Sequence, residues 1–182
     1  MSGDCYPISD QNGVYFLTLT VIEWIDLFTR KDYSLIIVDS LNYCIEKKNL
    51  EVYAWVIMSN HVHLICRVKP PIGMSDFLRD FKKFTSKQFV KCINEISESR
   101  EKWLLDKFSF EARRTGRATF FKVWRDDNHA IEIGDYIRLE DKMEYIHNNP
   151  VRAMIVARPE DYIFSSAIDY CDFKGLVNVT LY

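Results

Sequence analysis

The chain has 182 residues, 48% of them hydrophobic and 14% aromatic, with a formal net charge of −2. That length fits one domain with a full hydrophobic core, and that composition excludes a disordered chain. A slightly acidic balance counts against a protein that grips polyanions over its whole surface, and leaves room only for local basic patches.

Residues 14–21 alternate and are rich in β-branched and aromatic side chains, which predicts a first strand. The apolar run 14–28 is interrupted by Glu23 and Asp26, so it does not reach membrane-spanning length. Residues 32–48 carry Leu35, Ile36, Val38, Leu41, Tyr43 and Ile45 at largely helical spacing and predict a helix closed by Lys47, Lys48 and Asn49. Strands are expected at 51–58 and 61–68, paired as an antiparallel hairpin across Ser59-Asn60. After Pro70-Pro71-Ile72-Gly73, a long amphipathic helix is expected from about Ser75 as N-cap, with Phe77, Phe81, Phe84, Phe89 and Ile93 as its buried stripe. Residues 97–118 are charged and weakly patterned, and read as a mobile excursion within a single domain, 1–182, whose core spans about 14–170. A fourth strand is expected in 119–124, another extended piece near 129–133, and a helix from about Asp135 to Asn148 that stops at Asn149-Pro150. The tail with Tyr162, Phe164 and Tyr170 reads as covering structure. The order strand–helix–strand–strand–helix–strand predicts an α+β, ferredoxin-like sandwich: an antiparallel sheet with helices mainly on one face. That architecture hosts enzymes and nucleic-acid binders alike.

The five cysteines, Cys5, Cys44, Cys66, Cys92 and Cys171, are scattered without a C-x-x-C pair. This argues against a disulfide framework and a thiolate zinc site, and predicts reduced, mostly buried thiols. Any bound metal would need nitrogen and oxygen ligands. The N-terminal Met-Ser-Gly-Asp-Cys lacks the parts of a signal peptide, so the cytoplasm is the expected compartment and no membrane partner is expected.

His61-Val62-His63 carries the most chemistry. On a strand, side chains alternate, so the two imidazoles share a face while Val62 points into the opposite layer. Two histidines on one rigid face are half of a metal site, although the pattern alone also fits two half-exposed strand residues. In the helix near 135–148, Leu139, Met143 and Ile146 define the core stripe. Tyr145 falls off that stripe, and Asn149, four residues on, falls on the same side as Tyr145. A tyrosine beside an oxygen-bearing amide fits a nucleophile–ligand pair, and equally a rim tyrosine with a helix-stopping asparagine. Basic residues cluster at Arg79, Lys82, Lys83, Lys87 and Lys91, and again at Arg113, Arg114 and Arg117. Of the other histidines, His147 reads as a structural or hydrogen-bonding residue, and His129 as a supporting or a buried one.

Ala54-Trp55-Val56-Ile57-Met58-Ser59-Asn60-His61-Val62-His63, the helix Phe77-Leu78-Arg79-Asp80-Phe81-Lys82-Lys83-Phe84-Thr85, the segment from Val123-Trp124 to His129, and Glu144-Tyr145-Ile146-His147-Asn148-Asn149-Pro150-Val151-Arg152-Ala153 together resemble one family. It is the single-tyrosine HUH transposases, particularly the REP-associated tyrosine transposases; the tail from Pro159 to Ala167 is similar too, so the resemblance covers about residues 14–170. Met154 departs from it, standing where such sequences commonly place glycine.

The resemblance implies that His61 and His63 are paired metal ligands, that Asn149 (or Asn148) completes the protein's share, and that Tyr145 is the nucleophile. It implies a metal-dependent endonuclease and strand-transferase that cuts single-stranded DNA beside a hairpin. The products are a 5′-phosphotyrosyl bond and a free 3′-hydroxyl, and a DNA hydroxyl then rejoins strands. The expected cofactor is Mg²⁺, with Mn²⁺ as substitute. Arg79, Lys82, Lys83 and Lys87 are the expected phosphate contacts. A homodimer is left open, because relatives of this kind include both monomers and dimers that share helices between sites. Two other readings are a catalytically silent single-stranded nucleic-acid-binding regulator, and a phosphodiesterase that uses water.

Overall fold

The computed structural model describes residues 7–134 and 137–182. Its centre is a four-stranded, wholly antiparallel sheet of β1 (Tyr15–Thr20), β2 (Leu50–Ile57), β3 (His61–Val68) and β4 (Ile131–Glu132). The strand order is β2-β3-β1-β4. Helices α1 (Lys31–Lys47) and α2 (Met74–Glu95) cover one face, α3 (Glu101–Thr115) packs on α2, and α4 (Leu139–Arg152) lies on the other face over β2 and β3. This is the expected α+β sandwich. None of the described helices is long and apolar enough to cross a membrane.

Strand alternation sorts the sheet into two cores. Tyr15, Leu17, Leu19, Val62, Leu64 and Cys66 face the main core under α1 and α2, so Val62 points into the opposite layer from its histidine neighbours. Phe16, Val56 and Ile65 face α4, where Leu139 and Ile146 close a second, smaller core. Tyr53 is an extra residue in β2: Val52 pairs with Cys66 and Ala54 with Ile65, so Tyr53 and Ala54 both face α4. The hairpin closes at Ser59-Asn60 as expected, with the Met58 N–H donating to the His61 carbonyl at 2.8 Å. The free edge of β2 is covered by the C-terminal tail. Ile57 N donates to Phe164 O at 2.9 Å, Ser166 N to Trp55 O at 3.0 Å, and the Tyr162 and Tyr170 hydroxyls to Ile57 O and Tyr53 O.

Four elements differ from expectation. Residues 119–124 form no strand: the segment makes a single bridge, Val21 to Trp124, because the chain after β1 turns away at Glu23 and Trp24. The strand on the other side of β1 from β3 is the short β4, within the extended piece expected near 129–133. Residues 97–118 are not a weakly patterned excursion but contain α3, whose Leu104 and Phe108 are fully buried in the main core. Helix α2 is capped at Gly73, two residues earlier than expected, and the Gln11 side chain accepts from Ser75 N in place of a cap. Its stripe uses Leu78 and Thr85, while Phe84, off the 78–81–85–89 phase, is exposed.

Helix α4 also departs from expectation. It does not stop before Pro150 but runs through it to Arg152. Proline removes one donor and crowds the preceding turn. The side-chain amides of Asn148 and Asn149 donate to the carbonyls of Glu144 and Tyr145, at 3.0 and 2.9 Å, and so support that turn. The expected start of this helix, at Asp135, lies outside the described residues. Of the described cysteines, Cys44 and Cys66 are buried, Cys92 is half-buried and Cys171 is exposed; all four are free thiols.

Candidate active site

The site is built on the α4 face of the sheet. His61 and His63 project from β3 with their Nε2 atoms 3.2 Å apart and ring centroids 4.6 Å apart. Each ring is held from behind. His61 Nδ1 lies 2.6 Å from Asn60 Oδ1, and His63 Nδ1 lies 3.0 Å from Thr18 Oγ1, the residue directly opposite it across the ladder. Asn60 Nδ2 donates to Trp24 O at 3.3 Å, which fixes the orientation of that amide. Its Oδ1 can only accept, so His61 carries its proton on Nδ1 and presents a bare Nε2 to His63.

Burial reinforces this state. Desolvation pushes His63 down to about 3, with His61 adding to the effect, and pushes His61 down as well. With His61 Nε2 bare, the 3.2 Å contact is a hydrogen bond from His63 Nε2–H, and a shared cation would require that proton to move to Nδ1, facing Thr18 Oγ1. Two nitrogens each about 2.1 Å from one ion stand roughly 3.0 Å apart at the octahedral angle and roughly 3.4 Å at the tetrahedral one, and the 3.2 Å separation lies between them. Among the described residues no third His, Cys, Asp or Glu joins them. A third protein donor to a cation here would be of a different type. Asn149 Nδ2 is committed to the helix, and its Oδ1 makes no hydrogen bond among the described residues.

The structure brings Tyr145 to this pair within one chain. Its ring centroid is 5.5 Å from His63 and 5.9 Å from Phe16, and the side chain is 38% exposed. Because α4 continues past Pro150, Asn149 keeps its place one turn beyond Tyr145, on the same helix face. Lys142 and Arg152 share that side: the Lys142 ammonium sits 5.0 Å from the Phe16 ring and the Arg152 guanidinium 5.1 Å from the Tyr145 ring. Sequence reasoning passed over both, although spacings of i−3 and i+7 from Tyr145 would have marked them. It also passed over Thr18 and Asn60. Asn60 adjoins the H-x-H, whereas Thr18 is visible only once strand register is known.

Arg79, Lys82, Lys83 and Lys87 line one cleft of about 910 Å³ between α2 and residues 117–128, together with Arg117, Lys122 and Arg125. They are not equally available. Arg79 is paired with Asp76 and Asp80, and Lys82 donates to Arg125 O at 2.7 Å, whereas Lys83 and Lys87 are exposed and make no ion pair among the described residues. Desolvation pushes Lys82 down to about 8, with Lys122 acting in the same sense. His147 stands apart from the site, its Nε2 2.9 Å from Ser166 Oγ, and is pushed down to about 4 by burial. That is the hydrogen-bonding role expected of it.

An α+β sandwich with paired strand histidines and a facing helix tyrosine defines a class that comparison narrows further. A solved structure of a REP-associated tyrosine transposase, bound to a REP hairpin, matches with a TM-score of 0.57 and 19% identity over 97% of this chain and 93% of that one. A putative transposase from Deinococcus radiodurans R1 matches at 0.48 and 14% identity, over 81% and 97%. No curated protein matches the sequence. The IS200-like transposase family model matches residues 18–123, more than half of the chain and including both histidines, and the chain belongs to that family.

Proposed function

We propose that this transposase-family chain cuts and rejoins single-stranded DNA beside a hairpin, with Tyr145 as nucleophile and the whole site supplied by one chain. The observation that carries this reading is the convergence of Tyr145, 5.5 Å from His63, on a histidine pair whose Nε2 atoms face each other at 3.2 Å. The structural relative solved with a REP hairpin supports a hairpin-bearing substrate.

The Tyr145 phenolic oxygen attacks the scissile phosphorus in line with the leaving 3′-oxygen. The phosphorus–O3′ bond breaks as the tyrosyl–phosphorus bond forms, the phenol gives up its proton, and the departing oxygen takes one up as a 3′-hydroxyl. A DNA 3′-hydroxyl reverses these steps, which restores the phenol and joins strands without an external energy source. His61 Nε2, His63 Nε2 and Asn149 Oδ1 would hold a divalent cation, Mg²⁺ or in its place Mn²⁺, whose charge draws electron density from the phosphate. Arg152, over the Tyr145 ring, places a positive charge where phenolate develops. Lys83 and Lys87, with Arg79 and Lys82 beside them, would hold the strand's phosphates in the cleft along α2.

Incubation with end-labelled single-stranded hairpin DNA and Mn²⁺, followed by denaturing electrophoresis, tests this. A labelled protein band that disappears in Tyr145→Phe is the expected result. Mobility-shifted DNA without an adduct would make the chain a silent binder, and cleavage surviving in Tyr145→Phe would make water the nucleophile.

A further inference from the structure

At the His61 end of the pair stands a tryptophan that the strand-transfer chemistry leaves unused. Trp24 is 57% exposed, with its ring centroid 6.5 Å from that of His61 in an edge-on arrangement. Burial therefore does not account for an indole here. Its backbone is also costly to hold: Glu23 and Trp24 are consecutive non-glycine residues at φ 50° and 56°. Such a conformation persists only where the surroundings over-determine it, and such places cluster at ligand sites.

The surroundings are built for that. Ile22 and Ile25 anchor the turn on either side in the main core. Ile22 N donates to Val123 O at 2.9 Å, and Asn60 Nδ2 binds Trp24 O while its Oδ1 orients His61. One amide thus ties the turn to the metal-ligand candidate. Two ion pairs, from Lys107 of α3 to Glu23 at 2.6 Å and from Arg100, the residue before α3, to Asp26 at 2.5 Å, neutralise both acids of the turn. The Arg125 guanidinium lies 5.6 Å from the indole centroid, pairs with no carboxylate among the described residues, and also lines the basic cleft. Arg125, which lines the cleft, thus touches the indole, and the indole in turn lies edge-on to His61.

We propose that Trp24 and Arg125 form a nucleobase-stacking subsite. One unpaired base lies against the indole while Arg125 contacts a neighbouring phosphate, and the strand is thereby registered between the basic cleft and His61/His63. The subsite rests on the single-strand reading above. Because every base has a π-face, it tolerates sequence, and recognition of a particular site falls to other residues.

Fluorescence anisotropy with two labelled probes, a single-stranded dT 12-mer and an abasic 12-mer of the same backbone, tests the proposal in a Tyr145→Phe parent that cannot turn over. Trp24→Ala is expected to weaken dT binding about 5- to 150-fold, Trp24→Phe to retain most of it, and abasic binding to be the same in all three. Arg125→Ala should weaken both probes and lower the salt dependence by about one phosphate contact. The dT probe should also quench tryptophan emission in the parent and not in Trp24→Phe, a readout that stands even if the alanine variant folds poorly. Equal dT binding by parent and Trp24→Ala, equal losses on both probes, or unchanged quenching in Trp24→Phe overturns the subsite alone. A parent that binds neither probe overturns the single-strand reading, and the subsite with it.

Discussion

Two imidazoles two residues apart on a strand share a face by geometry alone, but sharing a face does not aim their lone pairs. That aim comes from Asn60 and Thr18, which hold the Nδ1 atoms of His61 and His63. Partners of this kind fix ring orientation and tautomer, and their loss typically lowers metal affinity about 10- to 100-fold. Asn60→Ala and Thr18→Val are each expected to weaken Mn²⁺ binding within that range, measured by calorimetric titration, while leaving both imidazoles in place. Asn60→Ala should show the larger loss, because it also frees the Trp24 carbonyl. Affinity unchanged in both variants would mean that Asn60 and Thr18 do not tune the pair for a cation. The His61-Val62-His63 face was legible in the sequence because the strand period is two. Thr18 was not, because its role exists only through the pairing of β1 with β3.

At the scale of elements, what was legible follows the same division between local pattern and tertiary context. β1, the β2–β3 hairpin, α1 and most of α2 carry a period strong enough to be read from the chain. α3 was missed because its charged faces mask a narrow stripe, Leu104, Phe108 and Ala112, that only the surface of α2 makes meaningful. The end of α4 was missed because proline reads locally as a helix stop, whereas Pro150 is buried inside the helix and held by packing that the sequence does not show. Helix α3 is therefore a structural member, and through Lys107, with Arg100 just before the helix, it also braces the Trp24 turn. Phe108 is fully buried, so Phe108→Ala should destabilise the protein by about 3–5 kcal/mol in urea unfolding. A segment lying loosely on the surface would lose less than about 1 kcal/mol on the same change.

For the molecule as a whole, neutral histidines sit at the seams where its layers meet. His63 lies between the sheet and α4, and His147 joins α4 to the tail through Ser166. Both are pushed well below the ordinary imidazole value, to about 3 and about 4, chiefly by desolvation. The unfolded chain, with imidazoles near 6.5, takes up protons first as the solution is acidified. Stability is therefore at its full value above about pH 6.5 and falls as pH drops below it, until pH reaches each folded-state value. Each histidine contributes at most about 1.4 kcal/mol per pH unit in that window. Urea midpoints taken from pH 6.5 to 5 in the presence of a chelator should fall steadily, above the range where the carboxylates titrate. His147→Gln should remove its share of that slope while leaving intact the stabilisation by Mn²⁺ at pH 7, which for one site reaches about 2.7 kcal/mol at a hundred times Kd. His63→Gln should remove both a share of the acid slope and the Mn²⁺ stabilisation, because that ring, unlike His147, serves the fold and the cation together. An acid slope that neither variant changes would place the proton uptake elsewhere and leave the two seams without a part in acid unfolding.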